Sequence, residues 1–156
     1  MEIYLLRHGA ADRNAPDADR RLTDQGIAEV TEVITQARQA GSKPSLILSS
    51  PYTRALETAK LTARLLGYQQ EILTATALTP ESTPQEAWEE LRLYSDQPSI
   101  LAVTHEPLVT AVASWMLNSA RTQIEFKTAT LARIDIETMT AKPRGVRRWT
   151  IVPSRA

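Results

Sequence analysis

The stretch Glu2-Ile3-Tyr4-Leu5-Leu6-Arg7-His8-Gly9 decides the fold. A short, mostly apolar run over residues 2–6 breaks off at two ionisable side chains and a glycine, which reads as a buried strand running into a turn. The same pattern returns at Ile100-Leu101-Ala102-Val103-Thr104, which ends at His105, and at Leu46-Ile47-Leu48, which ends at Ser49-Ser50. Helical spacing fills the gaps. Ile27, Val30, Val33, Ile34 and Ala37 share one helix face, and Gly41 stands where a helix C-terminus favours glycine. Ser50-Pro51 reads as an N-cap followed by proline at the first helical position. Leu56, Ala59, Ala63 and Leu66 continue that helix and Gly67 closes it. Ile72-Leu73 suggests a third short strand. Thr83-Pro84-Gln85-Glu86 is a capping box, with Ala87, Trp88, Leu91 and Tyr94 on one side of its helix. Leu108, Val109, Val112, Ala113 and Met116 give one more helix. Thr130–Ile136 alternates, Lys142-Pro143-Arg144-Gly145 is a turn cluster, and Trp149–Val152 is the expected last strand. Residues 10–21 read as a polar loop. This alternation through residue 117 predicts an α/β fold, a three-layer α/β/α sandwich on a mainly parallel sheet with an antiparallel edge.

Composition narrows the function. The chain has 156 residues, 42% hydrophobic and 23% charged, which suits one domain over residues 1–156. It has no cysteine, which removes disulfides, thiolate nucleophiles and sulfur-ligated zinc. Eighteen basic residues balance eighteen acidic ones, so a general nucleic-acid binder is not expected. No apolar run approaches the ~20 residues of a membrane span, and residues 1–6 lack the basic leader of a signal peptide, so a cytoplasmic protein is expected. Charge is locally uneven. Glu81–Asp96 holds five acidic residues and one basic residue, whereas Met139–Ala156 holds five basic residues and no acidic one.

The chemistry gathers at the expected strand ends. Both histidines of the chain, His8 and His105, follow such a strand. Ligands of open α/β sheets bind beyond the carboxyl ends of strands. Arg54 falls in the first turn of the helix after Ser50-Pro51, where the helix dipole favours an anion rather than a cation. A bound anion would remove that conflict. Arg7, His8, Arg54 and His105 together suit a phosphoryl group. Guanidinium forks bind its oxygens, one imidazole attacks phosphorus, and a second, if protonated, stabilises the transition state.

At Leu6-Arg7-His8-Gly9 the sequence resembles the histidine phosphatase superfamily, also called phosphoglycerate mutase-like. Arg20-Arg21-Leu22-Thr23 followed by Gly26 is similar to its R-x-L-T-x-x-G. Ser49-Ser50-Pro51-Tyr52-Thr53-Arg54-Ala55 and Val103-Thr104-His105-Glu106-Pro107 are similar to its S-S-P-x-x-R-A and V-x-H-x-P. The resemblance spans residues 1 to about 115. It implies the phosphoglycerate mutase-like fold, His8 as nucleophile, Arg7, Arg54 and His105 as a phosphoryl clamp, and Arg20 as a substrate contact. Arg21 is adjacent, so that last assignment rests on the Leu-Thr spacing. A backbone carbonyl near Gly9 is expected to fix the His8 tautomer. The short length and the H-x-P-L-V form are similar to the SixA group of phosphohistidine phosphatases.

Broader relatives of this kind need an acid to protonate an alkoxide leaving group. Glu81, after Leu78-Thr79-Pro80, is the one carboxylate near the expected place and is the proton-donor candidate, while Glu86 is explained by its capping box. Imidazole leaves more readily than an alkoxide, so a weak acid signal leans towards phosphohistidine. The short loops leave little chain for a lid, which suits a side chain presented on another protein. The expected activity is therefore release of phosphate from protein phosphohistidine through phospho-His8. The expected partner is a histidine-phosphotransfer or similar signalling protein, and neither nucleic acid nor membrane. The alternatives are a small-molecule phosphomonoesterase with Glu81 as acid, and a non-catalytic phosphate-binding adaptor. No cofactor and no metal are expected. The chain carries neither G-x-x-x-x-G-K-[ST] nor G-x-G-x-x-G, and the arginine clamp supplies positive charge. Oligomeric state is not legible.

Overall fold

The computed structural model describes residues 1–119 and 124–154. Six strands form one sheet: β1 Glu2–Arg7, β2 Leu46–Ser49, β3 Leu73–Thr74, β4 Ser99–Thr104, β5 Leu131–Ile136 and β6 Gly145–Ile151. Their spatial order is β3-β2-β4-β1-β5-β6. β1 pairs in parallel with β4, and β2 in parallel with β3 and β4, while β5 runs antiparallel to β1 and β6 antiparallel to β5. The expected parallel sheet with a hairpin edge is the architecture found.

Strand alternation divides the core into two layers. Ile3, Leu5, Leu48, Ile100 and Ala102 face α3 (Pro84–Arg92) and α4 (Leu108–Met116), packing with Trp88, Leu91, Val112 and Met116. Tyr4, Leu6, Ile47, Leu101 and Val103 face α1 (Asp24–Gln39) and α2 (Thr53–Leu66), packing with Val30, Val33, Ile34, Ala55 and Ala59. β2 and β4 are buried along their whole length, as strands covered on both faces must be. No described helix is long and apolar enough to cross a membrane.

Local chemistry sets the helix ends. The Thr23 side chain accepts from Gly26 N at 3.0 Å and opens α1. Thr83 and Glu86 form the expected reciprocal capping box of α3. Gly67 closes α2 in the left-handed conformation, φ 69°.

Four expectations are corrected. α2 begins at Thr53 with Tyr52 as its N-cap, not at Ser50-Pro51. The Ser50 hydroxyl is engaged elsewhere, with Tyr52 N and His105 Nε2, so the chain makes one more bend before the helix. β6 begins at Gly145, inside the stretch read as a turn, because it is an edge strand whose Val146, Arg147 and Arg148 face solvent and break the apolar alternation. Asp17–Asp19 forms a 3-10 turn within the expected loop. Ile27, placed on the buried face of α1, is 43% exposed at the start of that helix.

Candidate active site

Register places the two histidines. Arg7 pairs with Thr104 across the parallel strands β1 and β4, so the next residue on each, His8 and His105, leaves the sheet at the same level. His8 N donates to Thr104 O at 3.1 Å, and Ser50 N, just past β2, donates to Val103 O at 3.0 Å. Three strand ends therefore open onto one cup, as expected of a parallel sheet. The two imidazole rings lie 5.0 Å apart between centroids, inclined at 59°.

His8 is held in one tautomer. Its Nδ1 lies 2.7 Å from the Gly9 carbonyl oxygen. A carbonyl only accepts, so Nδ1 carries the proton and Nε2 keeps its lone pair. Arg54 Nε donates to that Nε2 at 3.2 Å. Gly9 also makes the turn possible. A Cβ there would stand 2.9 Å from both the Gly26 carbonyl oxygen and Val30 Cγ2, and Gly9 N donates to the Thr58 hydroxyl on α2 at 3.1 Å. Burial, opposed by the Gly9 hydrogen bond and aided by Arg54, Arg7 and Arg20, presses the His8 pKa down to about 4. The ring is neutral at physiological pH, as attack requires.

His105 is almost fully buried. Its Nε2 lies 2.7 Å from Ser50 Oγ, and Tyr52 packs edge-on against it with centroids 5.1 Å apart. Burial first, then His8 and the arginines, press its pKa down to about 2. His105 is thus neutral at physiological pH, contrary to the protonated form expected of a phosphoryl clamp, and a phosphoryl dianion beside it would pull its proton affinity back up. Two buried polar atoms lack a hydrogen-bond partner among the described residues at this site, His105 Nδ1 and Arg7 Nε. Buried donors are normally satisfied, so Arg7 Nε suits an oxygen of a bound anion, as does His105 Nδ1 in the tautomer whose Nε2 accepts from Ser50.

Arg7 and Arg54 are fixed by backbone carbonyls. Arg7 Nη1 donates to Phe126 O at 2.8 Å. Arg54, on the first turn of α2 and 4% exposed, reaches the Asp17 carbonyl through Nη1 and the Asp17 carboxylate through Nη2 at 3.3 Å. Its Cζ lies 5.2 Å from the Tyr52 ring centroid. Burial lowers the pKa of both guanidiniums, against the pull of Glu106 on Arg7 and of Asp17 on Arg54. Arg20 donates to Asp12 O at 2.7 Å and lies 3.4 Å from the Asp17 carboxylate. The cleft above these groups has a volume of about 310 Å³. Arg7, His8, Arg20 and Arg54 line it, together with Arg13, Glu106 and Thr128.

All four principal residues and Arg20 thus come together. Arg21 does not. It turns to Glu57 at 3.2 Å on the far side of the loop, so the Leu-Thr spacing picks the arginine that faces the cleft. Glu81 is outside the cleft and fully exposed. It accepts from the Tyr52 hydroxyl at 2.8 Å, and that hydrogen bond holds its carboxyl below the usual range, the wrong direction for a proton donor. Sequence reasoning missed Arg13, Asp17, Glu106, Thr128 and Ser50 as parts of the site. Glu106 and Ser50 stand inside the quoted motifs and were legible as neighbours of His105 and Arg54, whereas Arg13, Asp17 and Thr128 lie in segments without periodicity.

Similarity to known proteins agrees with this geometry. Residues 3–78 match the model of the histidine phosphatase superfamily (branch 1). An uncharacterised protein of Picosynechococcus sp. is 35% identical over 111 residues, covering 69% of this chain and 67% of that protein. Among solved structures, the protein histidine phosphatase SixA complexed with tungstate aligns with a TM-score of 0.90 at 23% identity, covering 99% of each chain. A protein of Agrobacterium tumefaciens named as a candidate phosphohistidine phosphatase SixA aligns at 0.82 and 26% identity, covering 97% of this chain and 98% of that one. A mycobacterial glucosyl-3-phosphoglycerate phosphatase in complex with VO3 aligns at 0.71 and 15% identity, covering 94% of this chain and 96% of that one. By its motifs, its fold and these matches, the chain belongs to the histidine phosphatase superfamily, whose members are phosphatases.

Proposed function

We propose that this chain is a phosphohistidine phosphatase, releasing phosphate from a histidine carried on another protein through a phospho-His8 intermediate. The supporting observation is the state of His8, a neutral imidazole with Nδ1–H on the Gly9 carbonyl and Nε2 presented among Arg7, Arg54 and Arg20. In the first step Nε2 donates its lone pair to phosphorus and the bond to the leaving nitrogen breaks. Arg7, Arg54 and His105 hold the three equatorial oxygens. In the second step water attacks phosphorus, the P–Nε2 bond returns its pair to His8, and the proton of water passes to the departing phosphate. The Gly9 carbonyl keeps Nδ1 protonated, so His8 leaves as neutral imidazole.

The likeness to SixA structures supports this reading, and one of them, a protein histidine phosphatase, carries tungstate, a tetrahedral oxyanion of the kind the cup is proposed to hold. Glu81 argues against an ester substrate. It reaches the cup only through Tyr52, with a carboxyl tuned away from proton donation. A partner of the histidine-phosphotransfer kind fits a cleft floored by a buried nucleophile and walled by a short polar loop. The test is turnover of a phosphorylated histidine-phosphotransfer protein beside a panel of phosphate esters. The reading expects the phosphohistidine protein to be preferred, and preference for an ester overturns it. Base-stable, acid-labile label trapped on wild-type enzyme and absent from His8→Ala separates catalysis from mere phosphate binding.

A further inference from the structure

Glu106 is a carboxylate lining a cleft built for an anion. Arg7, His8, Arg13, Arg20, Arg54 and Thr128 are among the groups that share the cleft with it. Glu106 forms no ion pair within 4.0 Å of any described residue. Instead Thr110 N donates to its Oε1 at 3.0 Å, and the Thr110 hydroxyl lies 2.7 and 2.8 Å from its two oxygens. These bonds cap the first turn of α4 and pin the carboxylate as an acceptor. A carboxylate offers about four acceptor positions, so some remain open. An amide would make the same cap with no negative charge. A negative charge beside a phosphoryl cup weakens binding of any phosphate, unless the substrate brings a positive charge to that place.

Phosphohistidine brings one. Its imidazole departs as a neutral molecule only if the ring nitrogen distal to phosphorus already carries a proton. We propose that Glu106 selects the substrate by accepting a hydrogen bond from that distal N–H, which holds the leaving ring in its protonated form while the P–N bond breaks. This rests on the phosphohistidine reading and gives it a specificity residue. The proton stays on the distal nitrogen throughout, and the bonding pair returns to the nitrogen that held phosphorus. The step mirrors the second half-reaction, in which the Gly9 carbonyl holds the distal N–H of phospho-His8 in the same way. An ester leaving group has no such N–H for the carboxylate to accept.

The experiment compares phosphoimidazole, which has the distal nitrogen, with 4-nitrophenyl phosphate, which has none. Glu106→Gln keeps an acceptor for the Thr110 cap and removes the charge. It is expected to lower kcat/KM for phosphoimidazole by ~10–100-fold, the size of a charge-assisted hydrogen bond, and to leave kcat/KM for the aryl ester no lower or to raise it, because the ester dianion loses a repulsive neighbour. Wild-type kcat on phosphoimidazole, which reports the bound complex, is expected to stay level as pH rises past about 6.5, the ordinary imidazole value, whereas the kcat of the variant loses about tenfold per further pH unit. Equal loss on both substrates means a structural cap and overturns the proposal, as does no loss on phosphoimidazole. If the variant fails to fold, the wild-type profile decides, since a fall past that pH overturns the proposal. A wild-type enzyme that hydrolyses the aryl ester but not phosphoimidazole fails the phosphohistidine reading itself, before any variant is measured.

Discussion

The floor and the wall of the cleft are built by different physics. The floor, Arg7, His8, Ser50 and His105, stands on the ends of β1, β2 and β4, where ladder register fixes each residue to its neighbour. Its side chains are largely buried, and the tautomer of His8 is set by one carbonyl. The wall, residues 10–22, has a single β-bridge, Ala11 to Leu22, and a 3-10 turn. Its charges are mostly exposed, and Arg20, the half-buried one, pairs with Asp17. Preorganised buried groups act strongly because nothing has to be rearranged or desolvated at the moment of reaction. Exposed pairs are screened and worth little. Substitutions in the floor are therefore expected to act on kcat, and those in the wall mainly on KM.

The largest effect is expected from His8→Ala, which removes the attacking atom. Phosphate release should fall by about 10⁴-fold or more, with no phosphoenzyme trapped after quench. Turnover near the wild-type rate would place the nucleophile elsewhere. Arg54→Lys comes next. A lysine keeps the charge but loses the planar fork that spans the His8 Nε2 and the Asp17 turn, so kcat should drop ~10²–10³-fold at nearly unchanged thermal stability. A loss appearing only in KM would show that Arg54, reaching in from α2, behaves as the wall does and not as the floor.

The two histidines allow a direct reading of the floor, because the chain has no others. Nitrogen-15 spectra should show both rings neutral at pH 7, His8 as the Nδ1–H tautomer, with His8 titrating only near 4. The sign follows from linkage. The unfolded chain binds protons on both rings near pH 6.5, which the folded site refuses until about 4 for His8 and about 2 for His105. Stability conferred by the neutral rings is complete above 6.5 and declines as pH falls below it, levelling off near 4 for His8 and near 2 for His105. Orthophosphate should shift the His105 titration upward. A ring titrating near 6.5 in the free enzyme would show an open floor rather than a buried one.

The same contrast explains how much was legible in the sequence. β1 and β4 announce themselves by apolar runs that stop at a histidine, and parallel topology then requires both histidines to meet at one rim. Caps such as Thr83–Glu86 are local, so they too were read at residue resolution. The start of α2 was not, because Ser50 spends its hydroxyl on Tyr52 N and His105, a partner 55 residues away that local pattern cannot show. The wall carries no periodicity. Nothing local distinguishes Asp17, which holds two arginines, from Asp19, and β6 hides because the solvent face of an edge strand need not be apolar.

Arg20→Ala tests the wall. Its guanidinium lies on the cleft but is already engaged by Asp12 O and Asp17, so a loss of roughly three- to tenfold is expected, in KM and shrinking with added salt. A large fall in kcat would make Arg20 part of the floor.

The smallest effect is expected from Glu81→Gln, and it bears most directly on the leaving group. Were Glu81 a general acid for an ester, its removal would cost about 10²–10⁴-fold. Its side chain is instead exposed and bound to the Tyr52 hydroxyl, and that bond favours the ionised form. A glutamine keeps an acceptor for Tyr52, so the ring stays edge-on to His105 and beneath Arg54. kcat should then change by less than about threefold on phosphohistidine and ester substrates alike, since loss of an exposed charge is a minor perturbation. A hundredfold loss confined to alkyl phosphates would instead make Glu81 the acid and turn the chain into an ester phosphatase. The floor would serve either chemistry, because in the proposed cycle both begin with the same attack by His8 Nε2, and only the fate of the leaving atom separates them.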